Sequence, residues 1–147
     1  MSSDAGRNCP LHYRYSPSSL NRTPELACDA LYAVGGLYGN EPALAAVLSV
    51  FAAEPGDKQL VFNGDFNWFN IDPSRFQRIN EIVLSHIALR GNVETELADN
   101  TTEAGCGCAY PDWVEHQVVE RSNAIMDQLR QTAQRFPALQ SRLAALP

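Results

Sequence analysis

Residues 59–73 read Gln59-Leu60-Val61-Phe62-Asn63-Gly64-Asp65-Phe66-Asn67-Trp68-Phe69-Asn70-Ile71-Asp72-Pro73. Gln59 to Phe62 is a short, mostly apolar run halted by Asn63-Gly64-Asp65, the composition of a buried strand closed by a turn. Asp72 then stands where a helix N-cap belongs, with Pro73 at the first helical position. Phe76, Ile79, Ile82 and Val83 recur at helical spacing and predict a buried helix face. The unit is strand, glycine turn, capped helix.

A like unit precedes it. Leu31-Tyr32-Ala33-Val34 is a strand ended by Gly35-Gly36. Asn40 can cap the following helix, which has Pro42 in its first turn and an apolar stripe of Leu44, Val47, Leu48 and Phe51. Pro55-Gly56-Asp57 closes that unit. A third strand, Ile87-Ala88-Leu89-Arg90, stops at Gly91-Asn92. Strands alternating with helices predict an α/β fold with three or so parallel strands and right-handed crossover helices.

Outside this frame the patterns differ. Residues 1–29 carry Pro10, Pro17 and Pro24 without periodicity and read as an extended arm, its Tyr and Leu residues packing on the domain. The α/β domain covers 30–147. Within it, 98–111 is a Gly-rich loop containing Cys106-Gly107-Cys108, and 112–146 is helical. There, Asp112 with Glu115 reads as a capping box. A long helix would run to about Arg135 with Val118, Ile125 and Leu129 on one side. Pro137 breaks it before a short helix bearing Leu139, Leu143 and Leu146.

The chain has 147 residues, 17 acidic and 11 basic, a net charge of -6 without basic clusters. No stretch could neutralise a run of phosphates, so a nucleic-acid partner is not expected. No apolar run is long enough to span a bilayer, and the polar Met1–Arg7 is unlike a secretory signal. The expected location is cytoplasmic, where four cysteines are read as free thiols or metal ligands rather than a disulfide frame. Cys106 and Cys108 with Cys9 or Cys28 could form a zinc site, but the paired CxxC spacing is missing.

In a parallel sheet, ligands bind at the carboxyl ends of the strands. Each end here carries a Gly-plus-polar turn: Gly35 to Asn40, Gly64 to Asn67, and Gly91 to Glu94. Neighbouring strands would bring Asp65, Asn92 and Asn40 to one edge. Such oxygen groups suit a divalent metal, and helix N-termini suit a phosphate.

The three turns resemble the blocks of the calcineurin-like metallophosphoesterase family, which read Asp-x-His-Gly-Asn, Gly-Asp-x-x-Asp and Gly-Asn-His-Glu/Asp. This sequence has Gly36-Leu37-Tyr38-Gly39-Asn40, Gly64-Asp65-Phe66-Asn67-Trp68-Phe69 and Gly91-Asn92-Val93-Glu94, in order, each after a strand. The match spans residues 30–97. It implies metal-dependent hydrolysis of phosphate esters. Asp65 would be the metal-bridging carboxylate and Asn92 a second metal ligand. Gly36, Tyr38, Gly39, Asn40, Asn67 and Glu94 would meet the substrate phosphate. Mn, Fe, Zn and Mg are not distinguished.

The departures limit this. The Asp and His of the first block are Gly36 and Tyr38, the His of the third is Val93, and the second Asp of the middle block is replaced. One ion or none is the resulting expectation. Nothing after Leu97 resembles the family's second half, so the chain is similar to its N-terminal half alone. A half-built sandwich implies an exposed apolar sheet face, and hence a homo-oligomer or a missing C-terminal half. Two alternatives stand beside the hydrolase: a non-catalytic binding or oligomerisation module, and a small nucleotide-binding domain.

Individual residues have plainer readings. Asp65 could be a turn residue bonding its own backbone. Asn92 could tolerate a left-handed turn. Asn67 could be a polar loop residue, Glu94 a helix-start or surface charge, and Trp68 and Phe69 core. His86 reads as structural, and His12 and His116 have no evident partner.

Overall fold

The computed structural model describes residues 5–7, 15–98 and 105–147. β1 (Ala30–Val34), β2 (Lys58–Asn63) and β3 (Ile87–Leu89) form a parallel sheet in the order β1-β2-β3. In register, Ala33 faces Val61 and Val61 faces Ile87, while Val34 faces Phe62 and Phe62 faces Ala88.

α1 (Glu41–Ala53) and α2 (Pro73–Val83) are the crossovers. Both start as their sequences foretell. Asn40 accepts from the Ala43 N–H at 3.0 Å, and Asp72 from the Arg75 N–H at 2.8 Å. Each side chain satisfies one of the first-turn donors that a helix leaves open. Phe76, Ile79 and Val83 of α2 are buried as expected, whereas Ile82 is only partly covered.

Phe62, Phe66 and Phe76 are wholly buried, each contributing about 2–3 kcal/mol. Tyr32 meets Phe51 of α1, and Phe62 and Phe51 both meet His86. His86 thus packs just beyond α2, in a structural place. One sheet face, carrying Tyr32, Val34, Leu60 and Phe62, therefore looks onto the helices. The opposite face carries Leu31, Ala33, Val61, Ile87 and Leu89; Leu31 is 58% exposed and Leu89 36%.

The structure corrects several expectations. α3 (Asn92–Ala98) follows β3 directly, a helix that the block reading treated as a turn. α4 spans His116–Ala133, and Asp112 with Glu115 makes no capping box: Glu115 precedes the helix without a side-chain cap bond. A turn closed by Val114 N–H to Pro111 C=O occupies that stretch. The buried row of α4 is Val119, Ser122, Met126, Leu129 and Ala133; Leu129 is buried as expected, whereas Val118 and Ile125 are only partly covered. Polar partners turn the helix: Ser122 meets the Tyr110 hydroxyl at 2.9 Å, and Asn123 accepts from the Cys106 N–H at 3.1 Å. α5 (Pro137–Ala144) buries Leu139 and Leu143.

The arm is corrected in part. Tyr15, Leu20 and Leu26 are exposed rather than packed on the domain. Docking falls instead to Ala5–Arg7: Asn123 donates to the Ala5 carbonyl at 2.9 Å, and the Tyr110 N–H to the Gly6 carbonyl at 2.9 Å. Pro10, His12 and Tyr13 lie outside the described residues, as do Cys9 and the 99–104 part of the Gly-rich loop. No described helix is long and apolar enough to cross a membrane.

Candidate functional site

The loops at the carboxyl edge of the sheet are laced together. Tyr38 N–H donates to the Asp65 carbonyl at 3.2 Å and Gly39 N–H to the Phe66 carbonyl at 2.9 Å, tying the β1–α1 loop to the β2–α2 loop. Val93 N–H donates to Asp65 Oδ1 at 3.3 Å, tying the second loop to α3. Asp65 thus holds a backbone 28 residues away, not its own.

Glu94 is the clamp of this edge. Its Oε2 accepts from Asp65 N–H at 2.7 Å and Gly91 N–H at 3.0 Å; its Oε1 accepts from Asn67 N–H at 3.0 Å. The residue is fully buried, which overturns the surface-charge reading and leaves no oxygen turned to a ligand. Burial pushes its carboxyl above the usual glutamate range, the backbone bonds pull it back in part, and neighbouring Asp65 adds to the rise.

Asn67 is buried too. Its amide exchanges hydrogen bonds with Asn80 at 2.7 and 3.1 Å, and its oxygen accepts from Asn70 at 3.2 Å. It does lie in the β2–α2 loop, as its plainer reading has it, but it is buried in a polar network rather than open to a phosphate. Gly39 also plays a packing part: it is buried at φ +65°, and a Cβ there would lie 2.8 Å from Asn70 Cβ.

Three non-glycine residues of this edge hold left-handed backbone: Tyr38 at φ 53°, Asp65 at 53° and Phe69 at 62°. Each costs about 1–2 kcal/mol, and such strain persists only where surroundings over-determine it. The lacing bonds do so at Tyr38 and Asp65. Phe69 is 52% exposed, which corrects its reading as core, while Trp68 packs partly against the core.

Gly36, Tyr38 and Asn40 line an open cleft of about 370 Å³ with Val34, Ala43 and Val47. The Tyr38 ring folds over Gly36: a Cβ on Gly36 would meet its Cζ at 2.6 Å. Asp65 and Asn92 are not part of that lining. Asp65 lies over Gly91, where a Cβ would stand 2.1 Å from its Oδ1. Asn92 opens α3 in helical rather than left-handed backbone and donates its amide N–H to the Cys106 carbonyl at 3.0 Å.

These placements test the implied metal. Among the described residues no three His, Cys, Asp or Glu side chains gather as a ligand group. Glu94 is consumed in backbone bonds, and Asp65 spends its Oδ1 on the Val93 N–H. The described residues therefore do not make a two-ion centre.

Beside Asn92 lie Cys106 and Cys108. Their thiols are in hydrogen-bond contact, which draws Cys106 down to about 7 and pushes Cys108 up. His116, at the start of α4, does have a partner, Glu120, at 3.4 Å on the surface. Sequence reasoning missed the buried Arg130–Glu96 ion pair, 2.6 Å long. It also missed Glu94's part. That signal was present: glutamate three residues after a helix N-cap reaches back to the cap N–H, and Gly91-x-x-Glu94 has that spacing.

Fold and edge define a class and no more: an α/β protein with a three-stranded parallel sheet and five α-helices among the described residues. Protein-family models, curated proteins and solved structures were all compared with the chain, and none matches.

Proposed function

We propose that the carboxyl edge of the sheet is a phosphate-ester site of metallophosphoesterase type, taking one divalent cation at Asp65 and Asn92. The observation that carries this reading is the pair of left-handed residues, Tyr38 and Asp65, joined through one backbone bond at the end of adjacent strands. Strain concentrated where a parallel sheet binds its ligands is the usual mark of a site. In this reading the Tyr38 hydroxyl and the Gly35–Gly36 backbone meet the phosphate in the cleft, and Asp65 supplies the negative charge that attracts the cation. When bound, the cation would supply Lewis acidity toward a phosphoryl oxygen. The sparse donor set makes turnover by this chain slow.

The test is a thermal melt with Mn(II), using Asp65→Asn as the control. Asparagine tolerates left-handed backbone, so the turn survives the loss of charge. Wild type should gain several degrees at saturating metal, and the variant none. Absence of any metal-dependent shift in wild type would sink the reading.

A second reading, a non-catalytic module that self-associates, draws on a separate observation. The open sheet face carries Leu31, Ala33, Val61, Ile87 and Leu89, and β1 is an edge strand.

A further inference from the structure

We propose that Cys106 and Cys108 form a thiol–disulfide exchange site, closing to an intraloop disulfide by reaction with a low-molecular-weight disulfide. The inference is independent of the phosphate reading.

The loop is built to hold the two sulfurs together. Cys108 Sγ folds back to donate to the Cys106 carbonyl at 3.5 Å, which sets its sulfur against the Cys106 residue. Gly107 stands at φ 67°, the left-handed turn that returns the chain on itself. Residues two apart in sequence lie within about 7 Å at Cα, near the reach of a disulfide.

Three side chains from α3 and α4 anchor the backbone around Cys106. Arg130 donates to the Gly105 carbonyl at 2.7 Å, Asn92 to the Cys106 carbonyl at 3.0 Å, and Asn123 accepts from the Cys106 N–H at 3.1 Å. The Asn92 amide also approaches Cys108 Sγ at 3.8 Å. Loop thiols without a role need no such frame.

Exposure orders the steps. Cys106 is fully buried and Cys108 partly open, so Cys108 is the sulfur that an outside disulfide can reach. Cys108 gives up its proton as it attacks one sulfur of the small disulfide, whose S–S bond breaks, and the thiolate released takes up a proton. Cys106, deprotonated in turn, attacks the Cys108 sulfur of the mixed disulfide. The Cys106–Cys108 bond forms and the second small thiolate leaves. The protein dithiol is oxidised by two electrons, the small disulfide is reduced to two thiols, and the two cysteine protons pass to the departing thiolates. The ring enclosing only these cysteines and Gly107 is strained, so the bond is readily reduced and the site can hand its disulfide on.

The test equilibrates the full chain in buffers of graded oxidised-to-reduced glutathione, quenches with an alkylating agent, and weighs tryptic peptides. Residues Gly91–Arg121 form one such peptide and hold no other cysteine. The expected product is that peptide lacking both alkyl groups, lighter than the dithiol by two hydrogens and free of glutathione. In Cys106→Ser the other sulfur should accumulate as the glutathione mixed disulfide, because nothing resolves it. Cys106 is buried and its variant could misfold, so the deciding comparison uses wild type in native buffer and in urea. Folding should favour the intraloop disulfide by about tenfold or more. Equal closure in urea, mixed disulfides alone, or two freely alkylated thiols under oxidising buffer would each overturn the proposal.

Discussion

Glu94 decides more at the residue scale than any group the sequence marks for chemistry. It gathers backbone N–H groups from Asp65, Asn67 and Gly91, three donors from two loops, that of Asn67 fully buried and the other two partly. Glu94→Ala takes the acceptor from all three and should cost about 3 kcal/mol in urea unfolding. The pH dependence has a definite sign. Burial raises the folded-state pKa above that of the unfolded chain, so the unfolded chain loses the proton first as pH climbs. The stability contributed by this group is complete below the ordinary glutamate range and is lost as pH rises through the raised value. Glu94→Gln has no proton to lose. The advantage of wild type over that variant should therefore narrow as pH rises from the ordinary glutamate range through the raised value. An advantage that widens instead would mean that the N–H bonds outweigh burial and hold the carboxylate charged.

At the scale of the element, α1 ends without a basic residue in its last turn, and a strand supplies the missing charge. Lys58 of β2 donates to the carbonyls of Phe51 at 2.7 Å, Ala52 at 3.0 Å and Glu54 at 2.6 Å, with its ammonium 5.0 Å from the Phe51 ring. A cation here satisfies carbonyls that the helix end leaves open and offsets its negative pole. Lys58→Met keeps the apolar stem and removes the charge, so it should cost about 1–2 kcal/mol, read as a lower urea midpoint, with Lys58→Arg restoring part. An unchanged midpoint in Lys58→Met would remove this cap from the account. Such tertiary capping is invisible in the sequence, whereas local capping is plain: Asn40 before Pro42 and Asp72 before Pro73 announce both crossover helices. The parallel strands were legible for the same reason, each being an apolar run ended by glycine. α3 was hidden because its own residues, Asn92 to Ala98, look like a polar turn; tertiary burial of Val93, Glu94, Glu96 and Leu97 makes it a helix. The face of α4 was legible at Leu129 and missed by one residue at Val118 and Ile125, because Ser122, a polar residue, belongs to its buried row. The carboxyl edge was legible as a meeting of three loops and not as a set of ligands: the Gly91-x-x-Glu94 spacing gives one of Glu94's bonds, and nothing in the letters gives its bonds to Asp65 and Asn67 or the place of Asn67 in the core.

The whole molecule is unevenly covered. Helices lie against the sheet face of Tyr32, Leu60 and Phe62, and the reverse face presents Leu31, Ala33 and Leu89 to solvent beside the outer edge of β1, which among the described residues pairs with β2 alone. Exposed apolar area next to an unpaired parallel edge favours association, and two copies meeting there would extend the sheet and cover Leu31 together. The net charge of -6 opposes this, because like-charged copies repel. Under the self-association reading, sedimentation should therefore show a dimer that tightens as salt rises, since screening weakens the repulsion and leaves apolar burial intact. Leu31→Lys places a charge at the centre of the contact and should return the chain to monomer with an unchanged circular dichroism spectrum. Leu26→Lys supplies the control: it alters an equally apolar residue, half exposed, but on the arm rather than the sheet. Dissociation by Leu31→Lys alone would assign the contact to the open face. Dissociation by both would assign it to general surface hydrophobicity, and a wild-type chain that stays monomeric at high salt would remove the self-association reading.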